Sequence, residues 1–391
     1  MRKLSARTAD FTDSVIRRMT RISARYGAVN LSQGFPDFDP PRALTERLKK
    51  AADQGPHQYA ITWGAKNFRD ALAAKQQRLM GFPIDPESEI VVTCGSTEAM
   101  MAAMMTVTDP GDRVIIFSPF YENYGADTIL CGAEPVYVPL TPPDFRFDPE
   151  VLEDAFRQGA KALILCNPSN PCGKVFTREE LQTIADLACR YDAWVITDEV
   201  YEHIVYAPHE HTYIASLPGM RERTLSCSSL SKTYSITGWR LGYIIASPEV
   251  TETARKVHDF LTVGAAAPLM EAAVAGLTLP DSYYQELTEL YTKKRNLFLE
   301  GLDTLKIPHT VPQGAYYILL DIGEFGYDSD LRFCEEMAEK VGVGAVPGSS
   351  FFREPIHHLI RLHFAKQEST LQEALNRLEH LREKMGKLSH F

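Results

Sequence analysis

Cysteine is sparse and unpaired: seven residues (Cys94, Cys131, Cys166, Cys172, Cys189, Cys227 and Cys334) are scattered along the chain with no Cys-x-x-Cys spacing. Neither a zinc site nor a disulfide framework follows from that pattern, and a reducing, cytoplasmic setting is expected. Long hydrophobic runs are also missing. The most apolar stretch, 263–279, is interrupted by Glu271 and is too short to cross a bilayer comfortably, so it reads as a buried helix and no membrane partner is expected. Residues 1–14 mix Arg2, Lys3, Arg7, Asp10 and Asp13 with no apolar core and do not read as a secretory signal. Positive charge is in deficit, with 41 Lys and Arg against 51 Asp and Glu and a formal net charge of −10. That is the wrong sign for coating a phosphate backbone, and nucleic acid is not an expected partner. No repeat of solenoid period, low-complexity tract or long Gly/Ser linker is present.

What is present is a globular composition, 45% hydrophobic and 24% charged over 391 residues. At roughly 150 residues per domain, that length gives a prior of two or three domains. From residue 89 onward, short β-rich runs at 89–93, 113–117, 135–138, 162–165, 194–197 and 224–227 alternate with helical patterns at 96–108 and 177–191. Several runs are nearly continuous in apolar residues, as strands covered on both faces are. The alternation predicts an α/β fold with a mostly parallel, doubly wound sheet, and a further run at 239–246 suits one antiparallel neighbour. Beyond Pro280 a long amphipathic helix (281–305) leads into a smaller unit, with strands near 315–320 and 360–364 and helices near 329–341 and 370–387. The two units should pack closely against each other.

Ligands of open α/β sheets bind beyond the carboxyl ends of the strands. The residues just after these runs are Gly95-Ser96-Thr97, Pro119-Phe120-Tyr121, Asn167 to Gly173, and Asp198-Glu199-Val200-Tyr201. Gly95-Ser96-Thr97 at a helix start can cradle a small phosphate or be an ordinary helix cap. Asp198 can equally cap a helix or pair with a cation, and Tyr121 can be core. The cluster Glu202, His203, His209, Glu210 and His211 matches no standard ligand spacing, so no metal is expected and a polar surface loop is. Gly342, Gly344 and Gly348 lack the G-x-G-x-x-G spacing of a dinucleotide loop.

One segment is far more specific. Ser229-Leu230-Ser231-Lys232, followed by Thr237-Gly238-Trp239-Arg240-Leu241-Gly242, closely resembles the pyridoxal-phosphate lysine signature of the class I and II aminotransferases. Other landmarks of that family follow in order over almost the whole chain. The resemblance implies fold type I, with a smaller α+β domain built from the two chain ends: an arm at 1–45, a large cofactor domain at 46–285 and a small domain at 286–391. It implies pyridoxal 5'-phosphate as cofactor, with Lys232 as the Schiff-base lysine and Ser229 and Arg240 on the phosphate, together with Gly95, Ser96 and Thr97. Asn170-Pro171-Cys172-Gly173 is similar to the family's Asn-Pro-Thr-Gly turn with cysteine in place of threonine, and Asn170 would donate to the phenolic oxygen of the ring. Asp198 would face the pyridine nitrogen, Tyr201 the phenolic oxygen, and Tyr121 the ring face. Tyr59 would reach the phosphate in a neighbouring subunit, which implies a homodimer with shared sites. Arg361 would grip the substrate carboxylate, in a region that Gly34 lines.

These roles make chemical sense. A carboxylate at the ring nitrogen keeps it protonated and makes the ring an electron sink. A lysine, ordinarily titrating near about 10.4, must lose its proton to act, which desolvation and neighbouring cations promote. A planar guanidinium takes a carboxylate in bidentate fashion, as a lysine cannot. The implied activity is transfer of an amino group from an L-amino acid to a 2-oxo acid. Thr97 stands where some aspartate transaminases of this kind carry a lysine for the second carboxylate. Segment 31–38 with Trp63, Phe120 and Tyr124 looks more like the kynurenine, glutamine and methionine aminotransferases, so a neutral, bulky or aromatic donor is expected. The alternatives on the same fold are aspartate aminotransferase and cysteine-S-conjugate β-lyase. A regulator of this fold would need a DNA-binding module, for which the stretch before Gln33 leaves no room.

Overall fold

A computed structural model describes residues 14–386. Residues 1–13, most of the stretch read above as no secretory signal, and Lys387, the expected end of the last helix, lie outside the described residues.

The core is a seven-stranded sheet in the order Ile90–Thr93, Gly242–Ile245, Thr224–Ser229, Trp194–Asp198, Ala160–Cys166, Arg113–Ser118, Glu134–Pro139. All neighbours are parallel except Gly242–Ile245, which runs antiparallel to the strands on both sides of it. The exception has a local cause. The link from Ser229 to Gly242 holds only a short 3₁₀ turn, Thr237–Trp239, and parallel pairing needs a long crossover. The central strands are buried on both faces, and helices such as Ser96–Val107 and Arg178–Arg190 cover them. Arg178–Arg190 starts at the expected capping box, the Thr177 side chain taking the Glu180 amide and the Glu180 carboxylate taking the Thr177 amide. Because six strands point the same way, Ser118, Cys166, Asp198 and Ser229 all end at one edge of the sheet.

The later chain forms a three-stranded antiparallel sheet from Val346–Pro347, Leu359–His363 and Tyr317–Asp321. The N-terminal helix Val15–Tyr26 and the short strand Val29–Asn30 join this unit, Val29 pairing in parallel with Val343 and Asn30 with Gly344. The two chain ends therefore meet, and the chain leaves that pairing heading for Gly34.

Three helices differ from the sequence expectation. The apolar stretch 263–279 is not one helix: Val263 ends the helix Pro248–Thr262 at φ 67° and is half exposed, and a buried helix begins at Ala267–Leu277 with Pro268 in its first turn. The 329–341 helix runs Asp330–Glu336 and widens into a π-turn, Met337–Val341, closed by Gly342 in the left-handed region. The last helix divides at Glu379 and His380 into Glu368–Leu378 and Leu381–Met385.

The acidic and histidine cluster after Tyr201 is a surface loop only in part: Glu210 is exposed as expected, but the side chains of Glu202, His203 and His211 are turned inward. Glu202 is buried with Lys75 Nζ at 3.0 Å, both side chains at most 3% exposed. It also accepts from Tyr213 (2.6 Å) and from Gln76 (3.1 Å). His211 in turn meets Glu199 at 2.6 Å. Burial alone would raise the Glu202 carboxyl, but the Lys75 ammonium and His203 outweigh it and hold it well below the ordinary range. The network ties the helix Lys66–Met80 to the segment behind Asp198. Removing the cation strands a buried charge, so Lys75→Met should destabilise the protein by about 3–5 kcal/mol in urea titrations at neutral pH. Lys75→Met/Glu202→Gln, which removes both charges, should recover part of that loss.

Candidate active site

At the shared strand edge, the side chains singled out from the sequence converge from five places in the chain. Asp198, the last residue of its strand, accepts a 2.8 Å hydrogen bond from Tyr124 and a 3.4 Å bond from the Val200 amide. Lys232 reaches it from the loop after Thr224–Ser229, and its Nζ donates to the Gly34 carbonyl at 3.0 Å. Tyr316 donates to the same carbonyl at 2.9 Å, which fixes Gly34 from two sides. Only glycine fits there, since a Cβ would come within 2.2 Å of the Tyr317 hydroxyl oxygen.

Arg361, in the middle of Leu359–His363, is 1% exposed. Its Nη1 donates to Asn170 Oδ1 at 2.7 Å and its Nη2 to the Ser32 carbonyl at 2.8 Å. The rings of Tyr317 and Phe351 lie 4.3 and 4.5 Å from the guanidinium carbon. Nε is buried without a partner, and among the described residues no carboxylate lies within salt-bridge distance. Because Asn170 accepts from Arg361 through its oxygen, its NH2 end is the one left to donate. Tyr201 is buried with its hydroxyl 2.9 Å from that of Tyr317. Cys172 sits in the apolar cluster behind this turn, its Sγ 3.3 Å from Ser169 Oγ, and burial raises its thiol.

The charges at the site are displaced from their usual values in opposite directions. Burial pushes Asp198 up to about 6, against the pull of Tyr124 and Lys232. Burial pushes Lys232 down to about 8, with Arg240 and Arg361 acting the same way and Asp198 opposing. The amine is thus available near neutral pH, as the chemistry expected of it requires.

A second cluster lies where the helix Ser96–Val107 begins. Gly95 precedes it at φ 88°, and a Cβ there would fall 2.2 Å from Arg240 Nη2. A Cβ on Gly242 would meet the Gly95 carbonyl carbon at 2.4 Å and the Ser96 nitrogen at 2.7 Å. Two glycines thereby let the Arg240 guanidinium, itself on a left-handed residue (φ 55°), close on a helix N-terminus. Ser229 ends its strand with Oγ accepting from the Ser231 amide at 3.3 Å. Helix amides, hydroxyls and an arginine are a donor set suited to a phosphate.

The structure brings Gly34, Tyr121, Asn170, Asp198, Tyr201, Lys232 and Arg361 into one neighbourhood, and Gly95, Ser96, Arg240 and Gly242 into another. Tyr121 contributes a ring 5.8 Å from Tyr124, edge to face. Tyr59 joins neither: it is 88% exposed. Three tyrosines join the site that the motifs do not mark: Tyr124, which the sequence offers only as an aromatic flank, holds Asp198, and Tyr316 and Tyr317 belong to no motif.

Residues 26–378 match the family described as aminotransferase class I and II. The methionine aminotransferase of Escherichia coli is 36% identical over 94% of this chain and 96% of its own. Kynurenine–oxoglutarate transaminase 3 of Rattus norvegicus is 35% identical over 95% of this chain and 89% of its own. The solved N-succinyldiaminopimelate aminotransferase of Mycobacterium tuberculosis superposes with a TM-score of 0.94 at 35% identity, covering 97% of this chain and all of that one. The chain belongs to the class I and II aminotransferases. It is an enzyme of fold type I, dependent on pyridoxal 5'-phosphate. The residues present fit that cofactor: the glycine-walled cradle at Arg240 suits its phosphate, and the depressed Lys232 amine suits its aldehyde.

The electrostatics give a direct test on the cofactor-free protein. Lys232 should react with an amine reagent with a midpoint near pH 8. Because Asp198 supports the ammonium, Asp198→Asn should lower that midpoint. A midpoint at or above the parental value, followed by peptide mapping at Lys232, would contradict the charge coupling.

Proposed function

We propose that the protein transfers the amino group of a neutral, bulky or aromatic L-amino acid to a 2-oxo acid, with the site residues in the roles given by the family resemblance. When bound, the cofactor supplies the electron-accepting ring needed for cleavage of the substrate Cα–H bond. Lys232 is its attachment point and the base at the substrate Cα. Asp198, held by Tyr124, faces the ring nitrogen as a carboxylate, and Asn170 and Tyr201 donate to the phenolic oxygen. Tyr121 covers the ring face. Gly95, Ser96, Thr97, Ser229 and Arg240 hold the phosphate. Gly34, Asn170 and Arg361 form the carboxylate end of the substrate site.

The observation that carries this reading is Arg361, a buried guanidinium with two donors already used and no carboxylate partner among the described residues. A substrate carboxylate would neutralise it. The surroundings of Arg361 support a donor with one carboxylate: they are the rings of Tyr317 and Phe351, and the charged group next in influence is the carboxylate Glu122 rather than a second cation. Thr97 in the place of a lysine supports it too, as do the names of the methionine and kynurenine relatives.

The exposed Tyr59 supports a homodimer in which it serves the partner's site. The pairing of the chain ends supports a division into an arm at 1–45, a large domain at 46–285 and a small domain at 286–391. No helix among the described residues is long and apolar enough to cross a membrane, and with the unpaired cysteines this supports a cytoplasmic enzyme.

Single amino acids added to the holoenzyme without acceptor, followed by absorbance, test the reaction and rank the donors. Methionine, phenylalanine or kynurenine should convert the cofactor to its amine form faster than aspartate, and a strong preference for aspartate would overturn the substrate class. Pyruvate and ammonia released from a cysteine thioether would instead favour β-elimination. Lys232→Ala should abolish turnover. Arg361→Lys keeps the charge but loses the bidentate fork, and should lower kcat/KM by about ten- to a hundredfold.

A further inference from the structure

Tyr317 belongs to no sequence motif, yet it touches three residues of the site. Its hydroxyl is 2.9 Å from that of Tyr201, and the two rings meet edge to face at 86° with centroids 5.8 Å apart. The Arg361 guanidinium lies over its ring at 4.3 Å. Its hydroxyl also fills the space that a side chain on Gly34 would need. Both tyrosines are 3% exposed, so their protons must be placed within the protein.

Only one proton can lie between two oxygens, and which phenol supplies it decides where the other proton points. The two are not equivalent. Burial raises both, Tyr201 well above its ordinary value, but Arg361, seated over the Tyr317 ring at 4.3 Å, is the strongest influence pulling Tyr317 back down and acts less on Tyr201. Tyr316 and Cys166 act on both phenols, and Tyr121 and Tyr291 lie within reach of Tyr317; Tyr316 spends its proton on the Gly34 carbonyl. The more acidic phenol is the better donor.

We propose that Tyr317 is a positioning residue: it donates to the Tyr201 oxygen, leaves the Tyr201 proton for the phenolic oxygen of the cofactor, and passes the charge state of Arg361 to that bond. This rests on the roles of Tyr201 and Arg361 proposed above. It has a consequence for substrate binding. A carboxylate on Arg361 offsets the cation's pull on Tyr317, weakens its donation, and so weakens the hydrogen bond that Tyr201 can offer. The proton of the bound cofactor's chromophore is then held more tightly when the carboxylate end of the site is filled.

The test uses the holoenzyme and the variant Tyr317→Phe, which keeps the ring and its contact with Arg361. Absorbance is titrated against pH with and without 3-phenylpropionate, a carboxylate that has no amine to react. Tyr317→Phe should raise the chromophore's pH midpoint by about half to one unit, and should weaken the apo-protein's affinity for pyridoxal phosphate by about three- to tenfold, as expected for one supporting hydrogen bond. The further rise caused by 3-phenylpropionate should be smaller than in the parent. Tyr201→Phe should shift the midpoint more, and adding Tyr317→Phe to it should change nothing further. A shift in Tyr201→Phe with none in Tyr317→Phe overturns the relay while leaving Tyr201's role intact. No shift in Tyr201→Phe overturns that role and the relay together.

Discussion

A guanidinium that is 1% exposed, with no carboxylate within salt-bridge distance among the described residues, is the group around which the rest of the site is arranged. Taking such an ion out of water costs several kcal/mol unless its donors are satisfied. Arg361 answers that cost with contacts from four separate parts of the chain: the Ser32 carbonyl, the Asn170 side chain, and the rings of Tyr317 and Phe351. Each of these segments is held where it is partly by the need to surround the cation. The remaining imbalance, a buried positive charge facing the site, is what makes the site attract an anion.

The opposite displacements of Asp198 and Lys232 arise from the same low-dielectric setting. Burial disfavours both charges, yet each supports the other, and Tyr124 adds a hydrogen bond on the acid side. The positive field of Arg240 and Arg361 adds to burial in pushing the lysine toward the neutral amine. An amine near neutrality and a carboxylate kept ionised by its partners are the two conditions that a cofactor with an electron-accepting ring requires.

Much of this was legible in the sequence, for identifiable reasons. Strands covered on both faces must be continuously apolar, so 162–165 and 194–197 could be located directly, and ends such as Asp198 then marked the site edge. The Lys232 segment was legible through its resemblance to the cofactor-lysine signature of the class I and II aminotransferases. What escaped was set by tertiary contact. Glu202 looks like surface until Lys75, 127 positions earlier, is seen to pair with it in the interior. The apolar run at 263–279 hides a break because Val263 takes a left-handed conformation that its residue type does not announce. Tyr317 alternates along a strand as any core residue would, and only the fold places its hydroxyl against Tyr201.

The placement of Gly34 shows how strictly the two chain ends are coupled to the chemistry. Val29 and Asn30 pair with Val343 and Gly344, the Leu31 amide bonds to the Gly344 carbonyl at 3.1 Å, and the His363 amide bonds to the Leu31 carbonyl at 3.1 Å. Leu31 is thereby stitched to both Gly344 and His363, two residues after Arg361. Ser32 then presents its carbonyl to Arg361, and Gly34 presents its own to Lys232. A slip of one residue in the Val29–Asn30 pairing would move Ser32 and Gln33 of the following bend, and Gly34, by one position. Such a slip would bury Gln33 where Tyr317 allows no Cβ and remove an acceptor from each cation. The register of a two-residue strand thus fixes both ends of the site at once, and a glycine is required where the N-terminal segment crosses between them.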